Sequence, residues 1–114
     1  GRRIIQYETL TIGVIEVAAR DDAETIKWYE KGAERGNVFA LFNLGMAYLK
    51  GIGVARDYVE AYKWLHLSAT KGYDDAPAIC EALEKKIASE DIARAKLIAK
   101  QWQDDFEKLM SRNA

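Results

Sequence analysis

The chain repeats its own sequence at an offset of 36 residues, and this periodicity constrains the fold more than any other feature. Over 22 positions, nine residues recur in register, including a tryptophan and a glycine, which are uncommon types with particular structural uses. The first copies are Ala19, Arg20, Asp21, Glu24, Lys27, Trp28, Ala33, Gly36 and Ala40, and the second are Ala55, Arg56, Asp57, Glu60, Lys63, Trp64, Ala69, Gly72 and Ala76. Such a repeat predicts stacked supersecondary units.

Each unit is predicted to be a hairpin of two helices, A and B. Helix A covers residues 38–50, where Leu41, Leu44, Ala47 and Tyr48 fall on one face. The glycines at 51 and 53 break this helix. Helix B covers residues 58–71, with Asp57 as its N-terminal cap and Gly72 just past its end.

The third unit is predicted to lack the glycine loop. Its helix A lies within 73–88, with Pro77 in the first turn, and a long helix follows over 89–112. That last helix carries one apolar stripe, formed by Ile92, Ala95, Ala99, Trp102, Phe106 and Leu109. A helix of this kind at the end of a repeat array is typical of a cap that shields the last unit from water.

The spacing of small, aromatic and glycine residues resembles the signature of the Sel-one-like repeat (SLR) family, a subclass of tetratricopeptide-like repeats. The residues that match are Ala40, Leu44, Gly45, Tyr48, Gly51, Gly53, Val54, Asp57, Ala61, Trp64, Ala69 and Gly72. Gly45 and Ala61 are expected to let the two helices approach closely, and Trp28 and Trp64 are expected to fill the core. The resemblance covers the complete unit 37–72, helix B of the preceding unit at 21–36, and the start of the next unit.

The resemblance implies an all-α fold, a right-handed superhelix of antiparallel helical hairpins that ends in a long C-terminal cap helix. It also implies a non-enzymatic adaptor that holds a protein or peptide on the concave side of the array, which the A helices line. Some cysteine-rich relatives are described as penicillin-binding or lactam-hydrolysing. Their paired cysteines are absent here, which argues against that subclass. Lactam hydrolysis or peptidoglycan binding is kept as the alternative function.

The candidate binding groove is a second stripe on the A helices, beside the core stripe. It comprises Phe39, Phe42, Asn43, Met46 and Lys50 on the complete helix A, with Ile79 and Lys86 on the next one. Aromatic and methionine side chains at this spacing favour an apolar groove, and the lysines at its edge favour a ligand with an acidic end. The other interpretation is that these residues pack against neighbouring repeats.

The composition argues against other functions. The 17 basic and 18 acidic residues are nearly balanced, so no one-signed field would attract nucleic acid. With one cysteine, Cys80, and one histidine, His66, the sequence predicts no disulfide, metal site, cofactor or catalytic residue. No apolar run is long enough to span a membrane, so a soluble protein is expected, with bacterial cytoplasm and periplasm both left open.

Residues 1–20 depart from the pattern. Thr9, Ile12, Ile15 and Val17 stand where the complete unit has Gly45, Tyr48, Gly51 and Gly53. This divergent N-terminal segment is read either as a helix A or as a strand. An N-terminal face without a cap would also allow a homo-oligomer, because a repeat cannot bury its apolar side alone.

Overall fold

A computed structural model describes residues 23–113, and this part of the chain consists of helices and turns without a strand. Helix α1 covers 23–34, α2 Val38–Lys50, α3 Tyr58–Thr70, α4 Ala76–Glu84 and α5 Ser89–Asn113. The predicted all-α repeat solenoid is confirmed. The expectations for residues 1–20, a helix A or a strand and an open N-terminal face, lie outside the described residues.

Local side-chain caps define the hairpin of α2 and α3. The Asn37 side chain accepts a hydrogen bond from the Ala40 N–H at 3.0 Å, which satisfies a free donor at the start of α2. Gly51 ends α2 in the left-handed conformation, with φ of 71°. As predicted, Asp57 caps α3 by accepting hydrogen bonds from Val59 and Glu60 at 3.0 and 3.1 Å. These contacts explain why both helix boundaries could be predicted from sequence.

The two helices of this hairpin approach closely at Gly45. A Cβ atom there would lie 2.6 Å from Cγ of Leu65 and 3.1 Å from its backbone nitrogen. Ala61, one turn before Leu65 on α3, is fully buried. The expectation that small residues act as spacers between helices A and B is consistent with this geometry.

The core has two clusters of buried residues, and α3 contributes to both. One cluster joins α1, α2, the Leu67 side of α3 and Ala99 of α5. The other joins α3, α4 and the first turns of α5, around Tyr62 and Leu65. Helix α3 therefore lies at the centre of the described structure, in contact with α2, α4 and α5.

Helix α5 runs in the same direction as α3 and extends beyond it. Trp102 packs edge-on against Trp64, and farther along, Phe106 lies beneath the ammonium group of Lys71. The Phe106 ring also reaches Gly36, at the turn between α1 and α2. The terminal helix therefore covers the second repeat and contacts the end of the first.

Two packing expectations are wrong. Trp28 does not fill the core, because its side chain is 70% exposed, whereas the equivalent Trp64 is partly buried beneath Trp102. Leu109, placed on the buried stripe of the last helix, is 50% exposed. None of the described helices covers Trp28, whereas Leu109 lies at the edge of a recess that it shares with Glu34 at the end of α1.

Candidate partner-binding surface

The residues predicted to form the groove lie along one side of α2, here named the α2 face and comprising Phe39, Phe42, Asn43, Met46 and Lys50. Phe39 and Lys50, at the two ends of the helix, are exposed, while the three residues between them are partly buried. Phe39, Asn43, Met46 and Lys50 are spaced by three or four residues, which places them on one line along the helix. The face is therefore exposed at its two ends and partly accessible between them.

An aromatic cluster occupies the N-terminal end of the α2 face. The Phe39 ring meets Tyr73 edge-on at 5.5 Å, and the Phe42 ring lies 4.4 Å from the same tyrosine. Tyr73 belongs to the turn between α3 and α4. Because Phe39 remains 66% exposed, the cluster presents an aromatic ring to solvent.

A cavity of about 290 Å³ lies between α1 and the C-terminal half of α2. Its apolar wall includes Ile26, Met46, Ala47 and Ile52, and its polar groups belong to Thr25, Tyr29, Asn43 and Lys50. Lys50 is the one charged side chain among the described residues that line it. This recess can accept an apolar side chain whose neighbour is polar or acidic.

The structure brings together only part of the predicted groove. Phe42, Met46 and Ile79 pack against the cluster around Tyr62, so these three side chains also serve the core. Lys86 is exposed in the turn after α4, which ends at Glu84. The packing interpretation therefore applies to Phe42, Met46 and Ile79, and the groove stays a prediction.

Sequence reasoning missed the neighbours of the α2 face. Tyr73 stands 36 residues after Asn37, so the repeat predicts a capping residue there rather than an aromatic one. Consistent with that change, α4 has no side-chain hydrogen bond at its N-terminus. The substitution of a cap by tyrosine, followed by a delayed helix start, is the signal that could have revealed the aromatic cluster.

Two buried side chains, Tyr62 and Cys80, have raised pKa values. Burial, followed by the negative charge of Glu84, raises the pKa of Tyr62 to about 12. The same two causes raise the pKa of the Cys80 thiol to about 11, so that the thiol stays protonated and a poor nucleophile near neutral pH. Within residues 23–113, no three His, Cys, Asp or Glu side chains are grouped as they would be around a metal ion.

Two stretches of the sequence match the Sel1 repeat family, at residues 13–37 and 38–73, which together exceed half of the chain. The chain belongs to the Sel1 repeat family. The second Sel1 repeat contains α2, α3 and the glycine loop between them, and the first contains α1. The first match also begins upstream of Ala19, although residues 13–18 do not recur 36 positions later.

Sel1 repeats are generally modules for protein–protein interaction, and the coarse function of the chain is that of a scaffold for protein partners. A comparison with curated proteins finds no match. In the part of the chain that the structure describes, no helix combines the length and apolar character needed to cross a membrane.

Proposed function

We propose that the chain is a non-enzymatic adaptor that binds a peptide or a helix of a partner protein along the α2 face. The observation that carries the proposal is the accessible line of Phe39, Asn43, Met46 and Lys50, with an aromatic cluster at one end and a cavity at the other. In stacked hairpins, the A helices line the concave side, so a partner there would contact successive repeats.

The length of the α2 face fits a short helical partner. Phe39 and Lys50 are separated by about 16 Å along the helix axis, at roughly 1.5 Å per residue. A partner helix of about three turns covers that distance, with its apolar residues spaced by three and four. Lys86, exposed in the turn after α4, is a further proposed contact beyond α2, whereas Ile79 packs against the core.

The side chains at the two ends of the α2 face indicate which residues a partner segment would carry. An apolar side chain would enter the cavity beside Met46 and Ala47, and an acidic residue next to it would pair with Lys50. At the other end, Phe39 would pack against an aromatic or aliphatic residue. The partner segment is therefore amphipathic, with an acidic group near one end of its apolar stripe.

Site-specific photocrosslinking in the native full-length protein tests this proposal. A benzophenone amino acid would replace Phe39, which is 66% exposed on the α2 face, or Leu97, which is 68% exposed on α5 and serves as the matched control. We expect a protein adduct from position 39 that is absent from position 97. Equal adducts from both positions, or none from position 39, would contradict the proposal.

The second step replaces Lys50 with glutamate while the crosslinker stays at position 39. Lys50 is exposed, so the helical content should not change. Loss of the adduct with unchanged circular dichroism would support an acidic group on the partner. Phe42 and Met46 are less suitable targets, because both pack against the core and polar substitutions there would also destabilise the fold.

A further inference from the structure

A recess of about 240 Å³ lies between the C-terminal end of α1 and the second half of α5, and it shares no residue with the α2 face. This α1–α5 recess is lined by Glu34, Trp102, Asp105, Phe106 and Leu109. Its volume is smaller than the range of about 300–1,000 Å³ found for sites that hold a whole small molecule. The space is therefore suited to a single side chain of a partner.

The apolar walls of the recess are held in place by aromatic packing. Trp102 and Phe106 are partly buried and stack on each other, with their ring centroids 5.4 Å apart. The Trp102 ring also meets Trp64 edge-on at 5.7 Å. Leu109, farther along α5, is 50% exposed at the edge of the recess. These side chains offer a preformed apolar surface to the carbon chain of a long side chain.

The two polar side chains that line the recess are both carboxylates. Glu34 is the last residue of α1 and Asp105 lies on α5, and both are exposed. Asp105 accepts a hydrogen bond from the side-chain nitrogen of Gln101 at 3.0 Å, which leaves its other oxygen as an acceptor. None of the ion pairs found among residues 23–113 includes Glu34 or Asp105. A cationic group can therefore pair with both carboxylates.

The position of Glu34 adds to the negative potential of the recess. The C-terminal end of a helix carries partial negative charge, which disfavours a carboxylate there and favours a cation. Two cations are close by, but neither lines the recess: Arg35 is exposed, and the Lys71 ammonium group lies over the Phe106 ring at 5.0 Å. Because these cations limit the net negative charge, the recess favours one basic side chain over a strongly basic segment.

We propose that the α1–α5 recess binds an arginine side chain of a partner protein. The guanidinium group would pair with Glu34 and Asp105, and its carbon chain would pack on Leu109 and on the edges of the aromatic rings. Arginine fits better than lysine, because its planar group carries several N–H donors in a fixed fork that can serve carboxylates on two helices. The proposal does not depend on the α2 face, whose proposed partner segment carries an acidic group.

NMR titration of the full chain with a capped glycine–arginine–glycine peptide tests the proposal. The sequence contains three tryptophans, and of these only Trp102 lines the recess. We expect saturable shifts in the indole N–H signal of Trp102 and in the backbone amide of Glu34. Trp28 is the internal control, because it is 70% exposed outside the recess and an exposed ring attracts any cation weakly. Its signal should shift less and should not saturate.

Two altered peptides separate charge from shape. Replacing arginine by citrulline keeps the shape of the side chain but removes its charge, and this peptide should bind about tenfold more weakly. Replacing arginine by lysine keeps the charge but removes the planar fork of donors, and the loss should be about threefold.

Variants connect the signals to the two carboxylates. Glu34→Gln and Asp105→Asn should each weaken binding of the arginine peptide by about threefold, the usual size for one exposed ion pair. Glu81→Gln makes the same change in net charge on α4, outside the recess, and should leave binding unchanged. Circular dichroism should show the same helical content in all three variants, because the replaced side chains are exposed.

Three results would overturn the proposal. The first is the absence of a saturable shift at Trp102, or an equal shift at Trp28. The second is equal binding of the arginine peptide and either altered peptide. The third is the same affinity in Glu34→Gln and Asp105→Asn as in Glu81→Gln. None of these results bears on the α2 face, which is tested by crosslinking from position 39.

Discussion

Gly36 is the residue at which the first repeat and the terminal helix meet. Its φ of 78° lies in the left-handed region, which residues with a Cβ rarely adopt. A Cβ there would also lie 2.5 Å from Cζ of Phe106. That ring has little freedom to move, because it stacks on Trp102 at 5.4 Å and lies under Lys71. The turn glycine therefore has a packing role in addition to its conformational one.

Alanine substitutions separate these two roles. Gly72 has a φ of 91°, but a Cβ there would meet no atom within 4 Å. Gly36→Ala should therefore lower the free energy of unfolding by roughly 1 kcal/mol more than Gly72→Ala, because only the former displaces Phe106. Urea denaturation of both variants measures the difference. Equal losses of unfolding free energy in the two variants would show that Phe106 of α5 does not pack against the turn at Gly36.

The partly buried His66 makes stability depend on pH. The pKa of His66 in the folded state is lower than its ordinary value of 6.5, first because of burial and then because of Lys96. Between those two pKa values the unfolded chain binds more protons, so the free energy of unfolding should fall as the pH decreases below 6.5. Above 6.5 this contribution is constant.

His66→Asn removes the titrating group and serves as the comparison. Urea denaturation of both proteins on either side of pH 6.5 should show a smaller loss of stability for the variant in acid. If the wild type and the variant lose the same free energy over this range, the fold does not lower the pKa of His66.

Equivalent positions on helices α1 and α3 have different environments, as their two tryptophans show. Trp64 packs on Trp102, lies beneath Lys63 at 4.2 Å, and donates its indole N–H to Glu60 at 3.1 Å. Trp28 is exposed, with only Lys31 over its ring at 5.3 Å among the described contacts of that ring. The repeat determines the position of each tryptophan within its unit. Whether the side chain is covered depends on packing against another helix, which for Trp64 is α5.

The paired substitutions Trp64→Ala and Trp28→Ala test this difference. We expect the former to lower the free energy of unfolding by about 2–3 kcal/mol, because it removes contacts with α5 and opens a cavity. The latter should change it by less than about 0.5 kcal/mol, as is usual for exposed side chains. Similar losses from both would mean that Trp28 is buried in solution.

The sequence predicted those helices whose ends depend on local residues. Asn37, Gly51 and Asp57 act within a few positions of themselves, so α2 and α3 begin and end close to where the pattern places them. The path of α5 depends instead on contacts with Trp64 and Gly36, which are distant in sequence. Periodicity identifies the apolar side of a helix but not how far the neighbouring helices extend along it. It therefore predicts Leu109 on the buried stripe, although this side chain is exposed.

The candidate site was predictable to a similar degree. The α2 face follows from spacing of three and four residues along one helix. Its neighbours could not be predicted, because Tyr73 lies in a turn where the repeat expects a cap, and Thr25, Ile26 and Tyr29 belong to another helix. The packing of Phe42 and Met46 against the core likewise depends on α3 and α4.

At the scale of the whole molecule, stacked Sel1 repeats have two sides with different character. One carries the α2 face, with its aromatic cluster and its cavity next to Lys50. The other carries α5, whose surface combines charged residues with the exposed Leu97. We propose that the protein partner binds to the first side.

An NMR footprint of the partner captured from position 39 tests that claim most directly. Amide signals of the full chain would be recorded with and without the partner segment. We expect the largest shifts on α2, on Tyr73 and on the α1 residues that line the cavity next to Lys50, whereas the amides of Leu97 and its neighbours on α5 should not shift. A footprint confined to α5, with α2 unaffected, would contradict it.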